Sequence, residues 1–157
     1  MALPLLQGER VTLRVIEEAD LELLAAIIRE PGVAEWWGEA EEPERLRDNL
    51  RMDGDAWAIE ADGELAGWLG FSEETEPEYR SVGLDISLSG RFQGQGIGPD
   101  ALRTAIRWFA TERGHHRFTI DPAAHNERAV RAYAAVGFKP VGTLRRAELG
   151  SDGEWHD

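Results

Sequence analysis

The sequence predicts a single α/β domain spanning residues 1–157, and three observations support this class. The predicted segments follow the order strand, two helices, three strands, helix, strand, helix, strand, which combines strands and helices in one domain. A predicted strand leads into a loop with glycines at positions 94, 96 and 98, and a helical pattern follows at once. The length of 157 residues and the hydrophobic fraction of 42% suffice for one buried core.

The chain begins with a strand and two helices. Valine and leucine alternate with polar residues from Arg10 to Val15, which predicts a strand. Asp20 is a candidate N-cap for a helix whose apolar residues continue to the stop signal Pro31-Gly32. A second short helix is predicted over Pro43 to Arg51.

A hairpin, an acidic loop and a further strand come next. Ala56 to Glu60 and Glu64 to Phe71 predict two strands, joined at Asp62-Gly63, which is a strong two-residue turn signal. Ser72 to Tyr79 contains four glutamates and is predicted to be a solvated loop. Apolar residues alternate with polar ones from Val82 to Leu88, which predicts the strand that leads into the glycines.

The last third of the sequence is predicted to form two helices and two strands. The helix after the glycines continues to about Arg113, and Arg117 to Ile120 is a short strand. A second helix lies between Asn126, a candidate N-cap, and Gly137, a candidate C′ residue. Phe138 to Leu149 is predicted to be a further strand.

The glycines indicate an anion site. Glycine lets the backbone approach a ligand closely, and the first N–H groups of the following helix carry the positive end of its dipole. A P-loop would end in Gly-Lys-Ser/Thr, whereas Gly98 is followed by Pro99 and Asp100. The dinucleotide fingerprint would need glycine at position 99. The pattern present is Gln-x-x-Gly-x-Gly, from Gln93 through Gly96, and we call residues 93–98 the glycine loop.

A second motif gives this loop a family resemblance. Residues 126–138, NERAVRAYAAVGF, have the form Asn-x-x-Ala-x-x-x-Tyr-x-x-x-Gly-Phe. In this order the two motifs resemble those of the GNAT superfamily of N-acetyltransferases. The resemblance implies the GNAT fold, an α/β (α+β) architecture whose mixed central sheet is splayed at the acyl-CoA notch and flanked by helices. That fold usually ends in another strand, which in this sequence is either missing or begins at Trp155.

The resemblance also implies acetyl-CoA as the cofactor, with coenzyme A as the product. The expected cofactor-binding residues are Ile86, Leu88, Gln93, Gly94, Gln95, Gly96, Ile97, Gly98, Asn126, Ala129 and Tyr133. The N–H of Leu88 is the expected oxyanion donor. Tyr133 is the expected general acid, because a phenol stays protonated at neutral pH. Helical periodicity alone favours a core role for Tyr133.

Two carboxylates are expected beside the acceptor amine. Asp85 lies in mid-strand, opposite the apolar face, where a carboxylate is costly without a role, so it is the candidate base. Asp121 ends the next predicted strand, although before proline it also suits a turn. The stretch DPAAHNERAVRAY and the Glu-Trp-Trp-Gly at residues 35–38 are similar to aminoglycoside 6′-N-acetyltransferases. That resemblance implies an aminoglycoside acceptor, bound by Trp36, Trp37, Asp85 and Asp121.

Composition limits the partners. Seventeen Lys and Arg against 30 Asp and Glu give a net charge of −13, which disfavours nucleic acid and favours a cationic small molecule. An acidic surface also simply keeps a protein soluble. Basic residues in and beside the motifs are expected to offset this charge near CoA: Arg91, Arg103, Arg107, Arg128 and Arg131.

Several classes of site are not expected. The sequence contains no cysteine, and His115, His116 and His125 lack the spacing of metal ligands, so no metal is expected and these histidines look incidental. No apolar run approaches the length of a membrane span, and no targeting signal is recognised. We therefore expect a cytoplasmic protein without membrane partners, as a monomer or homodimer.

The sequence suggests three alternative functions. The leading hypothesis is an N-acetyltransferase acting on the 6′-amine of an aminoglycoside, which is an antibiotic-resistance activity. The opening LQGERVTLRVIEEAD also resembles ribosomal-protein alanine acetyltransferases, which implies acetylation of a protein N-terminus. A non-catalytic acyl-CoA sensor is disfavoured, because it would need neither Tyr133 nor Asp85.

Overall fold

The described residues form a mixed sheet of six strands. The structure is a computed structural model and describes residues 3–37, 46, 48, 50 and 55–157. The strands, in sheet order, are β1 (Leu6–Gln7), β2 (Val11–Val15), β3 (Ala56–Ala61), β4 (Glu64–Glu74), β5 (Ser81–Leu88) and β6 (Phe118–Thr119). Neighbours are antiparallel from β1 to β5, whereas β5 and β6 are parallel. The mixed sheet implied by the resemblance is confirmed.

Helices flank both faces of this sheet. Those with defined bounds are α1 (Leu21–Ile28), α2 (Pro31–Trp37), α3 (Ile97–Glu112) and α4 (Glu127–Val136). Phe109 of α3 packs with Trp57 on one face, while Leu24 of α1 packs with Ala58 on the other, as the alternation along β3 requires. The predicted helix over Pro43 to Arg51 lies largely outside the described residues. Within the described ranges, no helix has the length and apolarity needed to cross a membrane.

The sheet opens between β5 and β6. Only Val82 and Gly83 of β5 pair with Phe118 and Thr119 of β6. On the other side, β5 stays paired with β4 as far as Leu88. An added Cβ on Gly67 of β4 would lie 1.9 Å from the Ser87 carbonyl oxygen, so glycine is required for this close approach. The end of β5 is therefore firmly paired on one side and free to meet a ligand on the other.

The acidic loop is shorter than predicted. Residues 72–74 extend β4, and Glu73 binds Arg113 Nη2 at 2.7 Å and His115 Nε2 at 2.6 Å. Burial alone would raise the pKa of Glu73, but its bonds to Arg113 and His115 hold that pKa below its ordinary value. The His115 side chain is fully buried. Neither Glu73 nor His115 is therefore a solvated or incidental residue.

Asp20 does not cap α1 with its side chain as predicted. Its carboxylate binds Arg14 Nη1 at 2.7 Å and Nη2 at 2.8 Å, and accepts the Glu17 N–H at 2.7 Å. Burial would raise the pKa of Asp20, but Arg14 keeps it below its ordinary value. This ion pair ties β2 to the start of α1.

The strand predicted from Phe138 to Leu149 is wrong for most of its length. Only β7 (Glu148–Leu149) is a strand, and it pairs with β8 (Trp155–His156) outside the main sheet. Val141 and Leu144 are 98% and 68% exposed, with no strand beside them among the described residues. A strand does begin at Trp155, one of the two alternatives raised by the sequence.

Candidate active site

A cavity of about 750 Å³ lies beside the end of β5, past the point where β5 stops pairing with β6. Its lining comes from α2, the end of β5, the glycine loop and α4. The lining residues are Gly32, Val33, Glu35, Trp36, Ile86, Ser87, Leu88, Gln93, Gly94, Gly96, Gly98, Pro99, Asn126, Glu127, Arg128, Ala129, Arg131, Ala132 and Tyr133. Two predicted cofactor residues are not among them: the side chain of Gln95 donates to the Arg91 carbonyl at 2.6 Å, and Ile97 is fully buried in the core.

The glycine loop has backbone angles that favour glycine. Gly94 and Gly96 have φ of +72° and +81°, and Gly96 is the N-cap of α3. An added Cβ at either position would meet no atom within 4 Å, so the loop is open to a ligand. At Gly98 an added Cβ would instead lie 3.4 Å from Leu88 Cδ1. The absence of a side chain at Gly98 therefore allows α3 to pack closely against β5.

Side chains join the glycine loop to α4. Gln93 Nε2 donates to the Leu88 carbonyl at 3.0 Å, and Gln93 Oε1 accepts a hydrogen bond from Arg128 Nη1. The two sequence motifs are thus in direct contact. Of the basic residues expected near CoA, Arg128 and Arg131 line the cavity, whereas Arg91, Arg103 and Arg107 do not.

The last backbone amides of β5 point into the opening. Val82 N donates to the carbonyl of Arg117, on the β6 side, at 3.0 Å. Because N–H direction alternates along a strand, the amides of Ile86 and Leu88 point to that same side. Pairing with β6 ends at Gly83, so these two amides face the space where the strands have separated.

Tyr133 lies half-buried on α4 at the cavity wall. Asn126 fixes the start of this helix by accepting the Ala129 N–H at 3.2 Å. Burial raises the pKa of the Tyr133 hydroxyl above its ordinary value, and the carboxylates of Asp85 and Asp121 raise it further. The phenol therefore keeps its proton at neutral pH.

Asp85 lies on β5, next to this cavity rather than in its lining. Its side chain is accessible to solvent, but the surrounding protein removes much of its hydration. This desolvation raises the pKa of Asp85 to about 7; the carboxylates of Asp121 and Glu148 add to the rise, and the Ile86 amide opposes it. The carboxyl group can therefore exchange a proton near neutral pH.

Trp36, which lines the cavity on its α2 side, is the first of three aromatic rings in a row. The centroid of Trp36 is 4.9 Å from that of His125, which is 5.4 Å from that of His156 in β8. His125 is thus not incidental, because it connects α2 with the segment before α4. The side chain of Trp37 lies outside the described residues. Within the described chain, no group of three or more acidic or histidine side chains could hold a metal ion.

Sequence reasoning missed Ser87 and Glu148. Ser87 Oγ is buried, lines the cavity and has no hydrogen-bond partner among the described residues. Its spacing of two from Asp85 on one strand places both on the same face, which is the signal that could have identified it. Glu148 comes near Asp85 only through the position of β7, which no local pattern encodes.

These features fit acetyl-CoA. The glycine loop and the N-terminus of α3 offer backbone N–H groups to a pyrophosphate, with Arg128 and Arg131 as nearby cations. The amide of Leu88 offers a donor to the pantetheine arm of the cofactor, and the amide of Ile86, which also interacts with the Asp85 carboxylate, faces the same opening. When bound, acetyl-CoA supplies the activated acetyl group as a thioester.

Comparison with known proteins agrees with this geometry. The acetyltransferase (GNAT) domain family matches residues 10–139. The aminoglycoside N(6')-acetyltransferase type 1 of Klebsiella pneumoniae is 29% identical over an alignment 160 residues long, gaps included, which covers 87% of this chain and 78% of that protein. The ribosomal protein uS5-alanine N-acetyltransferase of Escherichia coli (strain K12) is 30% identical over 94 residues, which cover 60% of this chain and 48% of that protein.

Among solved structures, a GNAT acetyltransferase from Bacillus anthracis superposes with a TM-score of 0.83 at 18% identity, covering 98% of this chain and 93% of that one. That likeness shows the fold, and the family match spans both sequence motifs. The chain belongs to the GNAT acetyltransferase family and is an N-acetyltransferase that uses acetyl-CoA.

Proposed function

We propose that this N-acetyltransferase acetylates the 6′-amine of an aminoglycoside antibiotic. The observation that carries the proposal is the charge-coupled group of Asp85, Asp121 and Tyr133 beside the cavity. Two carboxylates next to a protonated phenol suit an acceptor that bears several ammonium groups, and the net charge of −13 favours its approach. The similarity to the Klebsiella pneumoniae aminoglycoside enzyme supports the same acceptor.

Three groups of the chain act on the reacting atoms in this proposal. The Leu88 N–H donates a hydrogen bond to the thioester oxygen as negative charge develops there, and one such donor contributes about 3 kcal/mol. Asp85 accepts the proton that the amine loses. Tyr133 gives its proton to the departing thiolate, while Trp36, Trp37 and Asp121 bind the acceptor.

The two proton transfers are coupled through charge. The negative charge of Asp85 contributes to the high pKa of Tyr133, which would make the phenol a weak acid. When Asp85 accepts the amine proton, that charge disappears, so Tyr133 becomes more acidic as the thiolate forms. Burial, the larger cause, persists, but ammonium groups of a bound acceptor act in the same direction as the protonation of Asp85.

The glycine loop is the proposed pyrophosphate site, and Gly96→Val is expected to abolish measurable CoA binding. A β-branched residue is strained at φ +81°, and its side chain would fill the open side of the loop. The measurement is titration calorimetry with CoA. Gly114→Val is the matched control, since Gly114 also has positive φ (+70°) and open surroundings but lies beyond the other end of α3. Parental CoA affinity in Gly96→Val would contradict this pyrophosphate site.

The acceptor is tested by following CoA release with a thiol-reactive dye. Because the sequence contains no cysteine, every thiol detected comes from CoA. We expect turnover with kanamycin and tobramycin, and none with an aminoglycoside that carries a hydroxyl in place of the 6′-amine. Bacteria expressing the chain should grow on either antibiotic. Failure to acetylate any aminoglycoside would rule out the proposed acceptor.

The second candidate acceptor is a protein N-terminus. The 30% identity to the Escherichia coli ribosomal protein uS5-alanine N-acetyltransferase favours it over part of the chain. A peptide that begins with alanine is the test substrate in the same assay, and turnover with this peptide alone would select the second candidate.

The single-domain organisation, cytoplasmic location and oligomeric state stay predictions.

A further inference from the structure

Arg10 lies next to the glycine loop, immediately before β2 and outside the lining of the cavity. Its Nη1 donates a hydrogen bond to the carbonyl oxygen of Gln95 at 2.6 Å. Its other terminal nitrogen, Nη2, is 3.9 Å from Asp62 Oδ2, in an exposed pair of the kind that contributes little. The principal contact of the guanidinium is therefore with the backbone of the glycine loop.

Asp100 holds the backbone of Arg10 in place. Its carboxylate accepts the N–H groups of Glu9, Arg10 and Val11 at 3.1, 2.8 and 3.0 Å. An added Cβ on Gly8 would lie 2.7 Å from Asp100 Oδ2, so this turn is packed directly against the carboxylate. Because Asp100 belongs to the first turn of α3, Arg10 and the glycine loop are fixed to one rigid element.

We propose that Arg10 is a positioning residue that orients the Gln95–Gly96 peptide for the pyrophosphate of acetyl-CoA. The inference rests on the pyrophosphate site proposed above. A trans peptide is planar, so its C=O and N–H point in opposite directions. With the Gln95 oxygen bound by Arg10, the Gly96 N–H points away from Arg10, toward the side on which Gly96 lines the cavity.

The orientation needs this support because the plane of a peptide next to glycine can flip, through changes in the adjacent ψ and φ angles, at little steric cost. A rotated Gln95–Gly96 peptide would present its carbonyl oxygen to the phosphate and remove one N–H donor. Arg10 stabilises the binding orientation before the ligand arrives, which reduces the ordering cost of binding. Arg10 thus acts through the backbone and makes no contact with the cofactor itself.

The test is CoA affinity of Arg10→Met, measured by calorimetry. We expect Kd for CoA to rise about tenfold, as for the loss of one charge-assisted hydrogen bond. KM for acetyl-CoA should rise in parallel, while kcat and the acceptor KM stay near parental values. The Arg10 side chain is 46% exposed, so the variant is expected to fold. Unchanged CoA affinity would overturn the proposal.

Asp62→Asn is the matched control. It removes the other contact of Arg10 and keeps the bond to Gln95, and asparagine tolerates the φ of +53° at this position. Its CoA affinity should equal that of the parent. A loss of affinity equal to that of Arg10→Met would assign the effect to the hairpin contact and overturn the proposal.

High salt distinguishes an effect of the Arg10 charge on CoA affinity from an effect of the orientation of the Gln95–Gly96 peptide. At about 0.5 M salt the field of an exposed charge extends only a few Å. If Arg10 acts by orienting the peptide, the difference in CoA affinity between Arg10→Met and the parent should persist at this salt concentration. If the difference disappears, Arg10 acts only through its charge. Gly96→Val distinguishes the two levels of the inference. If Gly96→Val binds CoA with parental affinity, the proposed pyrophosphate site itself is wrong. If Gly96→Val loses CoA binding but Arg10→Met keeps parental affinity, the pyrophosphate site is retained and the role proposed for Arg10 is wrong.

Discussion

Replacing Tyr133 by phenylalanine is expected to lower kcat by about 10²-fold or more, with acetyl-CoA affinity near the parental value. The hydroxyl is a proton donor at neutral pH, because burial and then the charges of Asp85 and Asp121 raise its pKa. The aromatic ring remains in the variant, so its edge-on packing against Phe138, at 6.3 Å between centroids, is kept. The variant loses the hydroxyl group and with it the proton that Tyr133 would donate.

The second tyrosine of the chain provides the control. Tyr79 is 71% exposed after β4, so Tyr79→Phe should have parental kinetics. An acetyl thioester of a more acidic thiol tests the role directly, because such a leaving group needs less protonation. The variant Tyr133→Phe should lose less activity with that donor than with acetyl-CoA. Equal kcat in parent and variant would mean that the thiolate leaves without a proton from Tyr133.

Local sequence patterns were sufficient where structure is determined by neighbouring residues. The hairpin turn was predicted because Asp62-Gly63 accepts positive φ at both positions, and the structure has +53° and +75° there. The position of α3 after the glycine loop followed in the same way, since Gly96 supplies the left-handed N-cap. Asn126 caps α4 through its own side chain, again within one turn.

The sequence was insufficient where a partner lies far along the chain. Glu73 was expected in solvent, but its carboxylate binds Arg113 and His115, which lie about 40 residues later in the sequence. The contact of Trp36 with His125 depends on how α2 and α4 are packed, which no local pattern encodes. A strand was predicted from Phe138 to Leu149, yet Val141 is 98% exposed, because a strand also needs a neighbour to pair with and the local sequence does not supply one.

Replacing Asp85 by asparagine is expected to depress kcat and to raise the aminoglycoside KM by about 30-fold or more. In the proposed mechanism, this variant loses both the group that takes up the amine proton and one of the charges that bind the aminoglycoside. Asp121→Asn should raise KM to a similar extent with little effect on kcat, because Asp121 binds without receiving the proton. Raised salt should weaken acceptor binding in the parent, and less so in either variant. Parental kinetics in both variants would contradict the antibiotic acceptor.

The pH dependence separates the roles of the two carboxylates. A base must be ionised, so kcat/KM of the parent should rise with pH through the Asp85 pKa of about 7. Asp121→Asn should move this limb to lower pH, because it removes a charge that raises the Asp85 pKa. Asp85→Asn should abolish the limb; if it keeps the parental limb, another group is the base.

Stability should respond to pH in the opposite direction. The pKa of Asp85 is raised in the folded protein from 3.8, so the folded state binds this proton more tightly than the unfolded chain. The contribution of Asp85 to stability should therefore be lost as pH rises from about 4 to 7, and that loss should be absent from Asp85→Asn. Thermal unfolding of both proteins across this range measures it. If kcat/KM rises while the free energy of unfolding falls over the same pH range, ionisation of Asp85 destabilises the fold and also activates the enzyme, as expected for the base. Equal pH dependence of unfolding in the two proteins would remove the physical basis for assigning Asp85 as the base.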